Sequence, residues 1–439
     1  MFQKRMLAVL SLIVAITSTA WAQSARLPAG QKWAATWAAS VHGPYPSGNA
    51  SAQPDLTFAF PDATQGAIDQ SFRLIVKPDL WGDRVRIRLA NTFGTQAVSF
   101  DEIYVGIAAS GGNIVKGTNR PVLFGGQRSV NISAGASSYS DAVELKLPAG
   151  ALTEGRKLAV SFHVIGPSGP MTWHAKALQT SYLSRPQSGA QSAKDDDAAF
   201  PFTTTSWYFL DAVDVMAPAD TVVVCAFGDS ITDGTLSTLN GDDRWPDVLS
   251  RRLHAAYGNR VSVVNAGIGG NRILTPERYP PPQPFPGGPS ALQRLDRDLL
   301  GLSGVSAVVL LEGINDISSG APADAIIAGM KEFVSRVKAK GLKIVAATIT
   351  PSLTANGNSG TPDANARRKE VNAFIRTGGL FDAVADFDAA TVDQATGALR
   401  EEFVPNSTVG GAGDRLHPNR AGYQAMGSAV DLKLFAPAR

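Results

Sequence analysis

The stretch Thr221-Val222-Val223-Val224-Cys225-Ala226-Phe227-Gly228-Asp229-Ser230-Ile231-Thr232-Asp233 decides the fold. Its first half is an apolar, β-branched run of strand length; its second half turns and enters a helix. A strand apolar at every position is buried on both faces, which is the situation of a parallel sheet covered by helices. The rest of the chain keeps that rhythm. Strand candidates Val222–Phe227, Val261–Asn265, Ala307–Glu312, Lys343–Thr348 and Ala383–Asp386 alternate with helix candidates Trp245–Tyr257, Ala291–Leu300, Ala323–Lys340 and Ala364–Thr377, and a last helix spans Asn419 to Leu432. Strand-helix alternation predicts a three-layer α/β domain. Ligands in such sheets sit beyond the carboxyl ends of the strands, where Ser230 stands.

Upstream the period changes to two. Phe72, Leu74 and Val76, then Val85, Ile87 and Leu89, then Val143, Leu145 and Leu147, then Leu158, Val160, Phe162 and Val164 alternate with polar residues, separated by Gly- and Pro-rich turns. Half-buried strands of this kind predict an all-β sandwich of jelly-roll type. The expected organisation is a leader at 1–22, a β-sandwich at 23–183, a linker at 184–219 and the α/β domain at 220–439. Lys194-Asp195-Asp196-Asp197 in the linker reads as a solvated acidic turn, because it lacks the alternating ligands and glycine of a calcium loop.

The 439 residues suffice for two or three domains, and 44% hydrophobic with 18% charged residues is a globular composition. Net charge is +2, and Lys4 and Arg5 lie in the leader, so the remaining chain offers no basic field for nucleic acid. Those two cations, the apolar run Met6–Ile16 and Ala20-Trp21-Ala22 form a secretory signal with cleavage after Ala22, giving a secreted or periplasmic protein. The run is shorter than the roughly 20 apolar residues of a membrane span, so no stable membrane insertion is expected. The single cysteine, Cys225, can form no internal disulfide and sits in an apolar run as a small buried hydrophobe.

Ser230, just past a buried strand, is placed either as a nucleophile or as a helix cap, and this segment alone leaves both open. Thr232 occupies the position of the second glycine of a Gly-x-Ser-x-Gly elbow, which weakens an ordinary α/β-hydrolase reading. A serine needs a base. His163 interrupts an alternating strand and His254 follows a helical pattern, so both read as structural; His42 and His174 fall in irregular stretches of the other domain. In Asp414-Arg415-Leu416-His417-Pro418, the spacing lets one turn bring the carboxylate of Asp414 to one ring nitrogen of His417, leaving the other free to take a proton; a helix-entry loop with a chance Asp and His is the other reading of the same residues. At the third strand end, Glu312-Gly313-Ile314-Asn315-Asp316 offers the Asn315 amide as an oxyanion donor. At the second, Asn265-Ala266-Gly267-Ile268-Gly269-Gly270-Asn271-Arg272 exposes backbone N–H groups but fails the dinucleotide fingerprint at Arg272.

The order of these four segments resembles the SGNH (GDSL) hydrolase family over about residues 220 to 435. The resemblance implies a flavodoxin-like three-layer hydrolase domain, with Ser230 as nucleophile, His417 as base, Asp414 as its partner, and Ser230, Gly270 and Asn315 forming the oxyanion hole. It implies a carboxylic ester hydrolase working through an acyl-enzyme, with no metal and no cofactor. The preceding sandwich resembles an extra domain of some secreted members, and the Pro-rich segment from Arg272 to Pro289 reads as either a wall of the acyl or alcohol site or a surface linker. An acetylated polysaccharide is the first substrate expectation, by fold-level analogy. A lipase or arylesterase, an O-acyltransferase with the same triad, and a binding protein with a vestigial site are the alternatives.

Overall fold

The computed structural model describes residues 27–49, 54–145, 153, 155–279, 285–406 and 413–438. The leader at 1–22 and the prolines at 280, 281, 282 and 284 lie outside the described residues. None of the described helices is long and apolar enough to cross a membrane.

The second half is built on five parallel strands in the spatial order Val261–Gly267, Val222–Gly228, Val305–Leu311, Lys343–Ala347, Ala383–Ala385. In chain order this is 2-1-3-4-5, the flavodoxin-like doubly wound arrangement, with its switch point between the first and third strands. The chain leaves those two strands in opposite directions, which opens a crevice at their carboxyl ends. One face packs Phe227, Val308, Phe333, Val334 and Val337; the other packs Val224, Val309, Trp245, Leu249, Tyr423 and Met426. Both faces are covered, as the uniformly apolar strands predict.

Two helices differ from expectation. The helix after Ser290 is α-helical only over Ala291–Leu295 and then widens into a π turn over Asp296–Leu300, where Asp298 turns back to pair with Arg294 and Arg297. The last helix runs only from Arg420 to Ser428, followed by a 3₁₀ turn at Leu432–Phe435.

The first half consists of antiparallel sheets. One contains Gln31–Ala38, Leu210–Pro218, Arg84–Ala90 and Ser137–Tyr139; the other runs Phe202–Thr204, Ser181–Leu183, Gln70–Val76, Leu158–Ile165, Val98–Ile107. Their facing sides enclose packed aromatics, Phe72 stacked on Phe162 and both Phe100 and Phe209 meeting their neighbours edge-on.

The stretch 184–219 is not a linker. It carries the strands Phe202–Thr204, Trp207–Tyr208 and Leu210–Pro218, and the last is central, paired on one side with Gln31–Ala38 and on the other with Arg84–Ala90. The polar appearance of Leu210–Pro218 comes from Asp211 and Asp214, which are buried against Arg88 (2.7 Å) and Arg86 (2.8 Å) of the neighbouring strand. Burying a carboxylate is tolerable only with such a partner.

The acidic turn also packs inward. Arg73, fully buried on the outer face of its sheet, donates to the carbonyls of Lys194, Asp196 and Gly112 and stacks over Phe200. That covering explains why Gln70–Val76 and all but the last residue of Leu158–Ile165 are buried on both faces, rather than alternately exposed.

Candidate active site

Ser230 opens a four-residue helix, Ser230–Asp233, at the end of the first parallel strand. Asp229 caps it by accepting from the Ile231 N–H at 2.9 Å, and Gly234 at φ 104° ends it. The cap leaves the Ser230 N–H pointing out of the first turn, where a helix has unsatisfied donors.

The Ser230 Oγ lies 2.7 Å from Nε2 of His417, and Nδ1 of His417 lies 2.5 Å from Oδ2 of Asp414. Oδ1 of Asp414 accepts from the backbone N–H groups of Leu416 (3.0 Å) and His417 (2.9 Å). The carboxylate thus fixes both the loop and the ring. Burial pushes the Asp414 carboxyl up, but the hydrogen bond and charge of His417, with the two backbone donors, outweigh it and hold the group well below the usual carboxylate range.

The second strand end forms a tight loop. Gly267 must be a glycine: a Cβ there would lie 2.3 Å from the backbone nitrogen of Asp233. Beyond it, Asp233 Oδ2 accepts from the Gly269 N–H at 3.0 Å, and Gly270 turns at φ 81°. The Gly270 N–H donates to no described residue. Asn315, one turn past the third strand, donates one amide hydrogen to the Asn271 carbonyl at 2.9 Å, which fixes the plane of its amide and leaves the second hydrogen over. Each of the five sequence-proposed residues therefore sits at the crevice of the switch point. Ser230, His417 and Asp414 are joined directly; Gly270 and Asn315 flank Asn271.

Sequence reading missed the groups that lock these strand ends together. Arg294 is fully buried and donates to the carbonyls of Gly228 (2.9 Å) and Ala266 (2.7 Å), to Asn271 Oδ1 (2.8 Å) and to Ser40 Oγ (3.1 Å), with Glu312 at 3.4 Å. One guanidinium ties all three strand ends and the β domain. Burial, reinforced by the charge of Asp229, drives the Glu312 carboxyl well above its ordinary range, and its Oε2 has no partner among the described residues. Asp316 accepts from the N–H groups of Ile273 and Leu274, anchoring the start of the Pro-rich segment.

The β domain reaches the same loop. His174 Nε2 lies 3.1 Å from Asp233 Oδ1, Lys176 Nζ donates to Thr235 Oγ1 at 2.6 Å, and Asn49 Nδ2 donates to the Gly269 carbonyl at 3.0 Å. Tyr279 of the Pro-rich segment donates to the Gly43 carbonyl at 2.6 Å. His42 lies beside His174, with burial pushing it down to about 3 and both ring nitrogens unpartnered among the described residues. His163 bridges Asp69 and Asp101, and His254 contacts Asp79.

Residues 226–425 match the model of the GDSL-like lipase/acylhydrolase family. This part of the chain is a GDSL-like acylhydrolase domain. Among solved structures, a member of the lipolytic protein G-D-S-L family from Veillonella parvula is 18% identical over 47% of this chain and 95% of its own, with a TM-score of 0.34. A GDSL-like lipase from Bacteroides thetaiotaomicron is 18% identical over 48% and 85%, with a TM-score of 0.35. A carbohydrate acetylesterase family member from Sinorhizobium meliloti is 16% identical over 47% and 94%, also at 0.35. No curated protein matches the chain. The acylhydrolase domain accounts for the four segments that carry the site; the all-β half lies outside the matched residues.

Proposed function

We propose that the protein is an exported serine esterase that deacetylates a polysaccharide. The observation that carries the reaction class is the continuous hydrogen-bonded line from Ser230 Oγ through His417 to Asp414. In this reading the Ser230 oxygen bonds to the ester carbonyl carbon as its proton passes to Nε2 of His417. The N–H groups of Ser230 and Gly270 and the free amide hydrogen of Asn315 hold the tetrahedral oxyanion. The carbon–oxygen bond to the alcohol then breaks, and His417 returns the proton to the leaving oxygen. Water, deprotonated by the same nitrogen, releases the acid and restores Ser230. Asp414, ionised throughout, keeps the ring in the tautomer that accepts at Nε2.

The leader-like residues 1–22 support export. A polymeric, hydroxyl-rich alcohol part is proposed by fold-level analogy, from an all-β half packed beside the site. The test is release of acetate from a chromogenic acetate ester and from acetylated xylan or pectin, by wild type and by Ser230→Ala. Wild-type turnover with Ser230→Ala at background, and labelling of Ser230 by a fluorophosphonate, are expected. Turnover by Ser230→Ala at the wild-type rate overturns the reading.

A further inference from the structure

Gly269 and Gly270 share one peptide unit, and its two ends face different parts of the molecule. The carbonyl of Gly269 accepts from the side-chain amide of Asn49, 220 residues earlier in the chain and on the β domain. This peptide is not among the cis bonds, and a trans peptide sets its N–H opposite its C=O. The N–H of Gly270 therefore points away from Asn49, and it has no acceptor among the described residues.

We infer that the β domain completes the oxyanion hole, with Asn49 as a positioning residue that holds the 269–270 peptide by its carbonyl and so aims and polarises the Gly270 N–H. This rests on the serine esterase reading above and adds to it a specific task for the β domain. A donor on the carbonyl draws electron density along the amide and strengthens the N–H as a donor, the cooperative effect of linked hydrogen bonds.

The rest of the loop fits this role. The preceding N–H, that of Gly269, is held at 3.0 Å by Oδ2 of Asp233, and Oδ1 of Asp233 is held by His174 of the β domain. Gly269 is thus gripped at both its polar groups, and each grip leads to the β domain. Residue 270 turns at a φ of 81° that favours glycine, and a Cβ there would lie 2.6 Å from Nδ2 of Asn49, so that it would displace the amide that holds the loop. With neither grip, a Gly-Gly pair would sample many orientations, and misaiming one donor by about 1 Å costs up to 10²-fold in rate.

The experiment uses the full-length protein with Asn49→Ala, Asn49→Asp and Asn315→Ala. Asn49 is an exposed side chain, so its loss leaves the core intact. On a chromogenic acetate ester, Asn49→Ala is expected to lower kcat about 10- to 100-fold with KM within about twofold, because the oxyanion forms only in the transition state. Asn49→Asp, which sets a carboxylate against a carbonyl, is expected to lower kcat further. Combining Asn49→Ala with Asn315→Ala is expected to cost less than the product of the single losses, since both act on one oxyanion. A kcat within twofold of wild type in Asn49→Ala overturns the inference, as does a loss of kcat matched by a rise in KM or by unfolding at the assay temperature. Inactive wild type, or Ser230→Ala as active as wild type, instead fails the esterase reading itself.

Discussion

Asp414→Asn separates an orienting carboxylate from a merely nearby one. The Asp414 carboxylate makes three hydrogen bonds: Oδ1 accepts from the N–H groups of Leu416 and His417, and Oδ2 pairs with Nδ1 of His417. In Asp414→Asn the amide oxygen takes over the two backbone donors, because an NH₂ there would meet them head-on. The NH₂ then faces Nδ1, which must become an acceptor. The ring proton moves to Nε2, 2.7 Å from Ser230 Oγ, where the reaction needs a lone pair. Fold and geometry survive while the base is lost, and the loss in the analogous protease substitution is about 10⁴ in kcat. A loss of about 10³ to 10⁴ corresponds to roughly 4–5 kcal/mol of transition-state stabilisation. The assay is kcat for a chromogenic acetate ester between about pH 6 and 9, with thermal unfolding followed alongside. Because Asp414 is held below the usual carboxylate range, it stays ionised across that window and contributes no titration of its own. If Asp414→Asn keeps more than a tenth of wild-type kcat while folding normally, the carboxylate does not set the tautomer and the triad argument fails.

Asn315→Ala removes the amide beside the Asn271 carbonyl and is expected to lower kcat about 10²- to 10³-fold with little change in KM; unchanged kcat removes it from the oxyanion hole. Glu312→Gln tests the buried carboxyl beside Arg294. Its folded pKa lies above its unfolded value, so its contribution to stability is whole below about pH 4 and fades as pH rises toward the folded value. The variant should unfold at a higher Tm than wild type by an amount that grows with pH, and a pH-independent difference between the two melting curves refutes it.

The α/β half was readable because its strands are β-branched runs buried on both faces, and because the Asp414 to His417 spacing is local enough for one turn to close. The π turn at Asp296–Leu300 was not, since it depends on Asp298 meeting Arg294 and Arg297 in a buried cluster. The strand Leu210–Pro218 was hidden for a related reason. Asp211 and Asp214 break the apolar pattern, and only the register with Arg88 and Arg86 makes them interior residues. At the site, the groups that do chemistry stood in motifs, whereas those that hold them did not. Arg294, Glu312, Asp233 and Asn49 are ordinary residues until the fold supplies their partners, the last across 220 positions of sequence.

The central strand Leu210–Pro218 is joined to the strand that delivers Ser230 by only Ala219, Asp220 and Thr221. Ser262, next to the nucleophile's strand, donates to the Ala35 carbonyl of the first sheet. The two halves consequently cannot be traded like interchangeable parts. Splicing the α/β half onto another scaffold ahead of Val222 would leave the middle strand with the sandwich but take Asn49 and His174 away from the Gly269–Gly270 loop in a single cut, so that engineering of this protein has to treat both halves as one inheritance.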